Sequence, residues 1–228
     1  VPGQSFGEMD LLDGHGHSAD AVSMGESALL TVSREDILKL FETRKAFAVQ
    51  CLSHFWRTLA EHIRVTNEQM KTFFVQESLA SESRLDDRAR AKAQTVIIDI
   101  NKKIALFREK GLSAGELEIL ATLSSEERYG PNDLIFAEGD SGSKLYIVLE
   151  GRVRIGKTIP GVGEEALAIL ERGDFFGEMS VVDAAPRSAS AIAHEAGTTT
   201  LAISKAAIDR LMETRGTTAH SFLLVLCR

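Results

Sequence analysis

The stretch Gly173-Asp-Phe-Phe-Gly-Glu-Met-Ser180, followed closely by Pro186-Arg-Ser-Ala189, decides how this chain is read. It combines a glycine turn with free amides, a carboxylate, a small hydroxyl residue and an arginine. Successive backbone N–H groups form an anion nest, and a guanidinium fork grips phosphate oxygens in pairs. Amides and Arg187 together therefore suit a phosphate. A carboxylate beside a phosphate repels it unless it has another task, such as accepting hydrogen bonds from sugar hydroxyls. Glu178 with Arg187 thus points to a ligand carrying both a phosphate and a hydroxylated ring, as a nucleotide does. The same residues also suit a surface ion pair on a β-turn, and residue types alone leave both readings open.

Working outward, the stretch occurs twice. Phe6-Gly-Glu-Met9 repeats at Phe176-Gly-Glu-Met179, and from Phe6 to Met24 eight of 19 positions match their counterparts 170 residues later. After a one-residue shift, Leu30 to Arg44 matches Leu201 to Arg215 at seven of 15 positions. The later copy has a preamble, roughly 96 to 172, that the first lacks, and the first copy has a tail from Thr58 to about Leu79. The simplest account is a window from a longer tandem protein, divided into 1–79 (the C-terminal part of a first domain with a long helix), 80–103 (a helical connector) and 104–228 (a nearly complete second domain).

Within the second copy, Ser113-Ala-Gly-Glu116 has the pattern of a capping box, and Leu117, Leu120 and Leu123 follow at helical spacing. Pro131-Asn-Asp133 is expected to break that helix. Short apolar runs bounded by glycine come next: 134–136, 145–149 and 153–155, then 166–170, 188–193 and 199–203. Glycine-punctuated strands at this spacing predict a compact antiparallel barrel or roll. From Ser204 the pattern is helical. The fold class expected is α+β: an antiparallel, jelly-roll-like β-roll flanked by N- and C-terminal helices, one complete copy plus a C-terminal half copy. In that half copy, Leu11, Val22, Leu30 and Val32 would form an apolar face without partner strands. Such a face is expected to pack on another chain or to be less stable than the second copy.

The cassette and its surroundings resemble the cyclic nucleotide-binding domain family, shared by catabolite activator proteins, protein kinase A regulatory subunits and gated channels. The resemblance rests on Phe176-Gly-Glu-Met-Ser180 and Pro186-Arg-Ser-Ala189. It rests also on Ile135-Phe-Ala-Glu-Gly-Asp140, Leu145-Tyr-Ile147 and Gly151-Arg-Val153, which are similar to the family's first roll strands. Asn132 stands where a glycine is usual. The likeness implies that Glu178 and the Gly177 amide take the ribose 2′-hydroxyl, and that Arg187 and Ser188 take the cyclic phosphate. Ser180 and Ala189 close the nest, with Phe176 and Met179 beside them. It implies cAMP as the ligand, with cGMP open because Ser188 can serve either base. No nucleophile or general base faces a scissile bond, so binding rather than turnover is expected.

The first copy departs where the chemistry is most demanding. Gly7, Glu8 and Ser18 are kept, but His17 holds the arginine position, and a mostly neutral imidazole lacks the charged fork. Hydrogen bonds to charged groups are worth roughly 1.5–3 kcal/mol each, so this site is expected to be degenerate. Asp13, His15, His17 and Asp20 can also be read as metal ligands, but no supporting outer shell accompanies them; no metal is expected.

Leu52, Trp56, Leu59, Ile63, Thr66, Met70 and Phe73 alternate spacings of four and three, a heptad seam with one polar member. This seam suits either a homodimer through residues 52–73 or packing on the helix's own domain. Val65-Thr66-Asn67-Glu68 also resembles the stretch of the activator family's dimer helix that reaches the adenine base. Thr66 and Asn67 are candidate base contacts on that likeness. Because the helix belongs to the first copy, the second site is expected to lack its base lid.

Composition narrows the partners. The 228 residues carry 26 basic and 33 acidic side chains, a net charge of −7, which disfavours nucleic acid and anionic membranes as partners of this fragment. Residues 84 to 110 carry eight basic against four acidic residues, read as the solvated face of a connecting helix. No apolar run approaches the roughly 18 residues of a membrane span. Cys51 and Cys227 read as reduced thiols of a cytoplasmic protein. The leading expectation is a cAMP-preferring regulatory module. The alternatives are a ligand-free dimerisation scaffold, or the sensor part of a Crp/Fnr-like transcription regulator whose DNA-binding domain is absent here.

Overall fold

The computed structural model describes residues 5–13, 16–17, 20–75, 94–95, 120–159, 163–194 and 197–226. The chain divides into two compact units, Leu59–Arg210 and the pair of segments Val1–Thr58 and Leu211–Arg228.

The first of these units holds every strand described. One sheet has five, in the order β1 (Gln94–Thr95), β2 (Ser124–Tyr129), β9 (Thr198–Ser204), β4 (Lys144–Glu150) and β7 (Phe175–Phe176). The other has four: β3 (Leu134–Phe136), β8 (Ser190–Ala193), β5 (Val153–Ile159) and β6 (Gly163–Leu170). All pairings are antiparallel, as expected of the β-roll. The central strands β8 and β9 bury nearly every residue, which explains their runs of small and β-branched side chains. Phe136, Tyr146, Val148, Val153, Phe176, Ala191 and Ala202 form a core cluster drawn from both sheets.

The helix expected to reach Pro131 ends at Leu123, and 124–129 is strand β2. The polar sequence Ser-Ser-Glu-Glu-Arg-Tyr hides this strand, which pairs along its whole length with β9. Its buried carboxylate is satisfied: the Tyr129 hydroxyl donates to Glu127 at 2.6 Å and Lys144 Nζ donates to the same carboxylate at 2.6 Å. The capping box at 113–116 and most of 80–103 lie outside the described residues; within 80–103, Gln94 and Thr95 pair with Arg128 and Glu127.

The other unit is helical. Helix α1 is Glu8–Asp13, α2 is Arg34–Thr43, α3 is Lys45–Val75, and the last helix, α6, is Thr217–Leu226. Residues of α3 as far as Thr58 belong here, and those from Leu59 belong with the strands. Between the strands and α6 come α4 (Glu178–Asp183) and α5 (Lys205–Glu213). Helix α1 and α4 share the repeat offset of 170 at both ends. The repeated Ser33 and Ser204 play one role, each accepting a backbone N–H of the first turn that follows, from Asp36 and Ala207.

The strands of the half copy do not form. Residues 20–33 contain no strand, and among the described residues only one β-roll is present. Val22 is 83% exposed and Leu30 96%. The physical reason is pairing: a strand without neighbours leaves its N–H and C=O groups to water and gains no ladder. Helices close their hydrogen bonds internally, so the helical parts of the repeat persist where the strand parts do not. On the heptad seam, Leu52 and Trp56 are buried within the chain and Ile63 is exposed over nearly half its surface, while the side chains of Met70 and Phe73 lie outside the described residues.

Candidate functional site

All eight residues of the cassette singled out above, Phe176 to Ser180 and Arg187 to Ala189, line a single cavity of about 250 Å³. That lies just below the range of about 300–1,000 Å³ typical of small-molecule sites. Phe136, Ile155, Leu167, Leu170 and Phe175 give it an apolar lining, and Ile63 and Asn67 of α3 supply a further wall.

The polar edge begins with a backbone requirement. Gly177 has φ +74°, and a Cβ there would sit 2.5 Å from Arg187 Nη1, so both conformation and space demand glycine. The turn leads into α4, whose first residue is Glu178. Arg187 follows on a loop tied to a second turn: its N–H donates to the Asp140 carbonyl, and its own carbonyl accepts from Gly139.

Arg187 is 5% exposed, and its guanidinium is held on three sides. Nη1 donates to the Gly177 carbonyl at 2.6 Å and Nη2 to the Lys144 carbonyl at 2.8 Å. Its carbon lies 4.1 Å above the centroid of the Phe136 ring and 5.8 Å from that of Tyr146. Nε has no partner, and neither does the buried Ser180 hydroxyl. Two buried donors with unmade bonds on residues that line one cavity, one of them cationic, are costly unless an acceptor completes them. Gly142 presses against this group: a Cβ there would lie 2.6 Å from Arg187 Cζ and Nε and 2.7 Å from Ser180 Cβ.

Burial draws the Arg187 pKa below its ordinary value, opposed by Tyr146, Glu178 and Asp140. Burial pushes the Glu178 carboxyl upward, against the pull of its own backbone hydrogen bond, Arg187 and Arg64, with Asp183 adding to the rise. Ser188 donates to the Met179 sulfur at 3.3 Å, which keeps a weakly committed hydroxyl at the cavity edge.

The first copy keeps part of this frame. Gly7 has φ +82°, a left-handed value like the +74° of Gly177, and Glu8 is buried with one carboxylate oxygen unpartnered. His17 is 74% exposed and lies 3.8 Å from Asp10, with no carbonyl cage or aromatic face described around it. Ser18 and His15 lie outside the described residues. Among the described residues no group of three or more side chains is placed to hold a metal.

Thr66 returns its hydroxyl to the His62 carbonyl at 3.0 Å and does not line the cavity, whereas Asn67 does. The first copy's helix thus contributes Ile63 and Asn67 to the wall of the second site. The sequence reading missed Gly142, the Lys144 carbonyl and the Phe136 face. Only Phe136, inside the Ile135–Asp140 run, carried any sequence signal.

Residues 126–215 match the family profile Cyclic nucleotide-binding domain. These residues belong to that family. The chain is 36% identical, over 118 residues, to the Cyclic AMP receptor protein of Thermus thermophilus, covering 52% of this chain and 54% of that one. It is 32% identical over 108 residues to a cAMP-dependent protein kinase regulatory subunit of Mycosarcoma maydis, covering 47% of this chain and 19% of that protein. The solved cyclic nucleotide-binding domain of Methylobacillus flagellatus superposes with a TM-score of 0.51 at 27% identity, covering 56% of this chain and 73% of that one. The chain therefore spans about half the length, or less, of these curated relatives. Among the described residues no helix is long and apolar enough to cross a membrane.

Proposed function

We propose that this chain is a cytoplasmic regulatory module that senses a cyclic nucleotide, cAMP in preference to cGMP, through one site in residues 104–228. Residues 1–79 are the C-terminal part of a degenerate first domain, and 80–103 the connector. The observation that carries the reading is that two side chains lining the cavity each keep an unmade hydrogen bond, at Arg187 Nε and Ser180 Oγ. Both are donors suited to a phosphate, and the Arg187 fork is already aimed by two carbonyls. Glu178 and the Gly177 amide take the ribose 2′-hydroxyl, Arg187 and Ser188 take the phosphate, and Ala189 lies at its edge. The preference for cAMP is supported by the names of the Thermus and Mycosarcoma relatives. The module binds and does not turn over its ligand, since the cavity offers no nucleophile beside a general base.

Ligand binding stabilises the occupied fold and shifts α5, just beyond β9, only by its differential affinity for two positions of that helix. Melting with and without cAMP and cGMP tests the reading, on the wild type and Arg187→Ala. Ligand at a hundred times its Kd adds about 2.7 kcal/mol. That raises Tm by roughly 5–11 °C for a chain of this size. A shift in the wild type that disappears in Arg187→Ala is expected. No shift with either nucleotide would overturn the sensor reading in favour of a ligand-free scaffold.

A further inference from the structure

Helix α3 is fastened beside the cavity by two ion pairs of opposite sense, one helical turn apart. Arg64 places its guanidinium fork on Asp183, with Nε 2.5 Å from Oδ2 and Nη2 3.1 Å from Oδ1, and donates from Nη1 to the Pro186 carbonyl at 2.7 Å. Four residues on, Glu68 accepts from Lys157 Nζ at 2.8 Å. Lys157 is almost wholly buried on β5, and Glu138 also stands 3.7 Å from it. Ile63 and Asn67, also one turn apart, are the residues of the same helix that line the cavity.

The Arg64 contacts are placed where they bear on ligand chemistry. Asp183 is the last residue of α4, the helix that Glu178 begins, and Pro186 immediately precedes Arg187. One side chain thus grips both ends of the link between the carboxylate and the arginine of the site. Asp183 also accepts from the Ala185 N–H at 2.9 Å, so the carboxylate that Arg64 holds organises the link from within. Arg64 is only about one-fifth exposed and Asp183 about one-tenth, so the pair is screened less than a surface bridge.

We propose that Arg64 is a positioning residue for the phosphate-binding arginine: it locks the 183–186 link in the shape that presents Arg187, and couples that shape to the docking of α3 against the cavity. The proposal rests on the cyclic-nucleotide reading for its ligand, but the lock itself is a property of the ligand-free chain. Because coupling free energies are reciprocal, whatever holds α3 in place strengthens ligand binding, and ligand strengthens the hold on α3 by the same factor. A lysine at 64 can meet Asp183 or the Pro186 carbonyl but lacks the planar fork that spans both.

The test uses the 228-residue chain as wild type, Arg64→Ala, Arg64→Lys, Asp183→Ala and the Arg64→Ala/Asp183→Ala double variant. Two readouts are taken: cAMP and cGMP affinity by calorimetry, and amide hydrogen exchange of residues 59–68 and 183–189 without ligand. Arg64→Ala is expected to weaken nucleotide binding by about 5- to 150-fold, the usual span of a coupling between sites. Exchange of 183–189 should quicken even without nucleotide, Arg64→Lys should be intermediate in both readouts, and the double variant should lose little more than either single one. Unchanged exchange of 183–189 in Arg64→Ala, or affinity within twofold of a binding-competent wild type, overturns the proposal. A wild type that binds neither nucleotide overturns the functional reading and the ligand half of this one, whereas the exchange data separately decide whether the lock exists.

Discussion

Replacing Gly142 by alanine asks how closely the binding arginine is held. Gly142 has no left-handed backbone, so the new methyl adds no conformational strain, and its whole effect is steric. The methyl would stand 2.6 Å from both Cζ and Nε of Arg187 and 2.7 Å from Ser180 Cβ, well inside van der Waals contact. The guanidinium must move, and the Gly177 and Lys144 carbonyls hold it at 2.6 and 2.8 Å. Charged hydrogen bonds are worth about 1.5–3 kcal/mol each, so losing one of them, or misaiming the fork by an equivalent amount, weakens ligand binding roughly 10- to 150-fold. Overpacking adds a stability cost of about 1–3 kcal/mol. The control is Gly197→Ala: Gly197 has φ +76° and open space around its Cβ position, so it bears strain without touching the site. Calorimetric titration with cAMP and thermal melting are run on both variants. Gly142→Ala should lose affinity, and Gly197→Ala should lose stability, about 1 kcal/mol or somewhat more, with affinity intact. Wild-type affinity in Gly142→Ala would refute the claim that this glycine exists to make room for Arg187.

Two further outcomes concern Glu178 and the first copy. Burial raises the Glu178 pKa above the ordinary carboxylate value, so the folded state binds its proton more tightly than the unfolded chain does. Its contribution to stability is therefore greatest below the unfolded value of about 4.5 and falls as pH rises through the folded one. Glu178→Gln should accordingly raise Tm of the ligand-free chain at pH 7, with the advantage shrinking as pH falls toward 4; an advantage that grows on acidification would reverse the assignment. Titration of the wild type and of His17→Arg should give one nucleotide per chain in both cases, because among the described residues no cage surrounds the exposed His17 position to aim an arginine; a second equivalent in His17→Arg would show that the first site lacks only its charge.

The cassette was legible because its demands are local. Glycine at a left-handed turn, a carboxylate opening the short helix that follows and an arginine just beyond that helix lie close in sequence whatever the rest of the chain does, and the repeat made the stretch conspicuous. The roll strands were legible for the same reason, as short apolar runs between glycines. Strand β2 was not, since Ser124 to Tyr129 becomes apolar in effect only after Glu127 finds Tyr129 and Lys144. The half copy misled in the opposite direction: Val22, Leu30 and Val32 alternate as a strand should, but alternation describes a surface and not the neighbour that must cover it. Gly142 and Arg64 left no mark at all. A glycine without unusual dihedrals and an arginine on a long helix take their meaning from side chains that approach through folding alone.

The cavity wall from α3 changes what counts as the smallest piece of this protein worth isolating. Arg64 and Asp183 are 119 residues apart in sequence, and the intervening chain includes seven of the nine strands described. An excised fragment beginning at 104 would look like a tidy domain by every criterion of repeat and strand pattern. It would nevertheless leave behind Ile63, Asn67 and the guanidinium that grips the link before Arg187. Dissection at the repeat boundary thus removes part of the site while keeping all of its sequence motif, so fragment and whole are different receptors bearing the same signature.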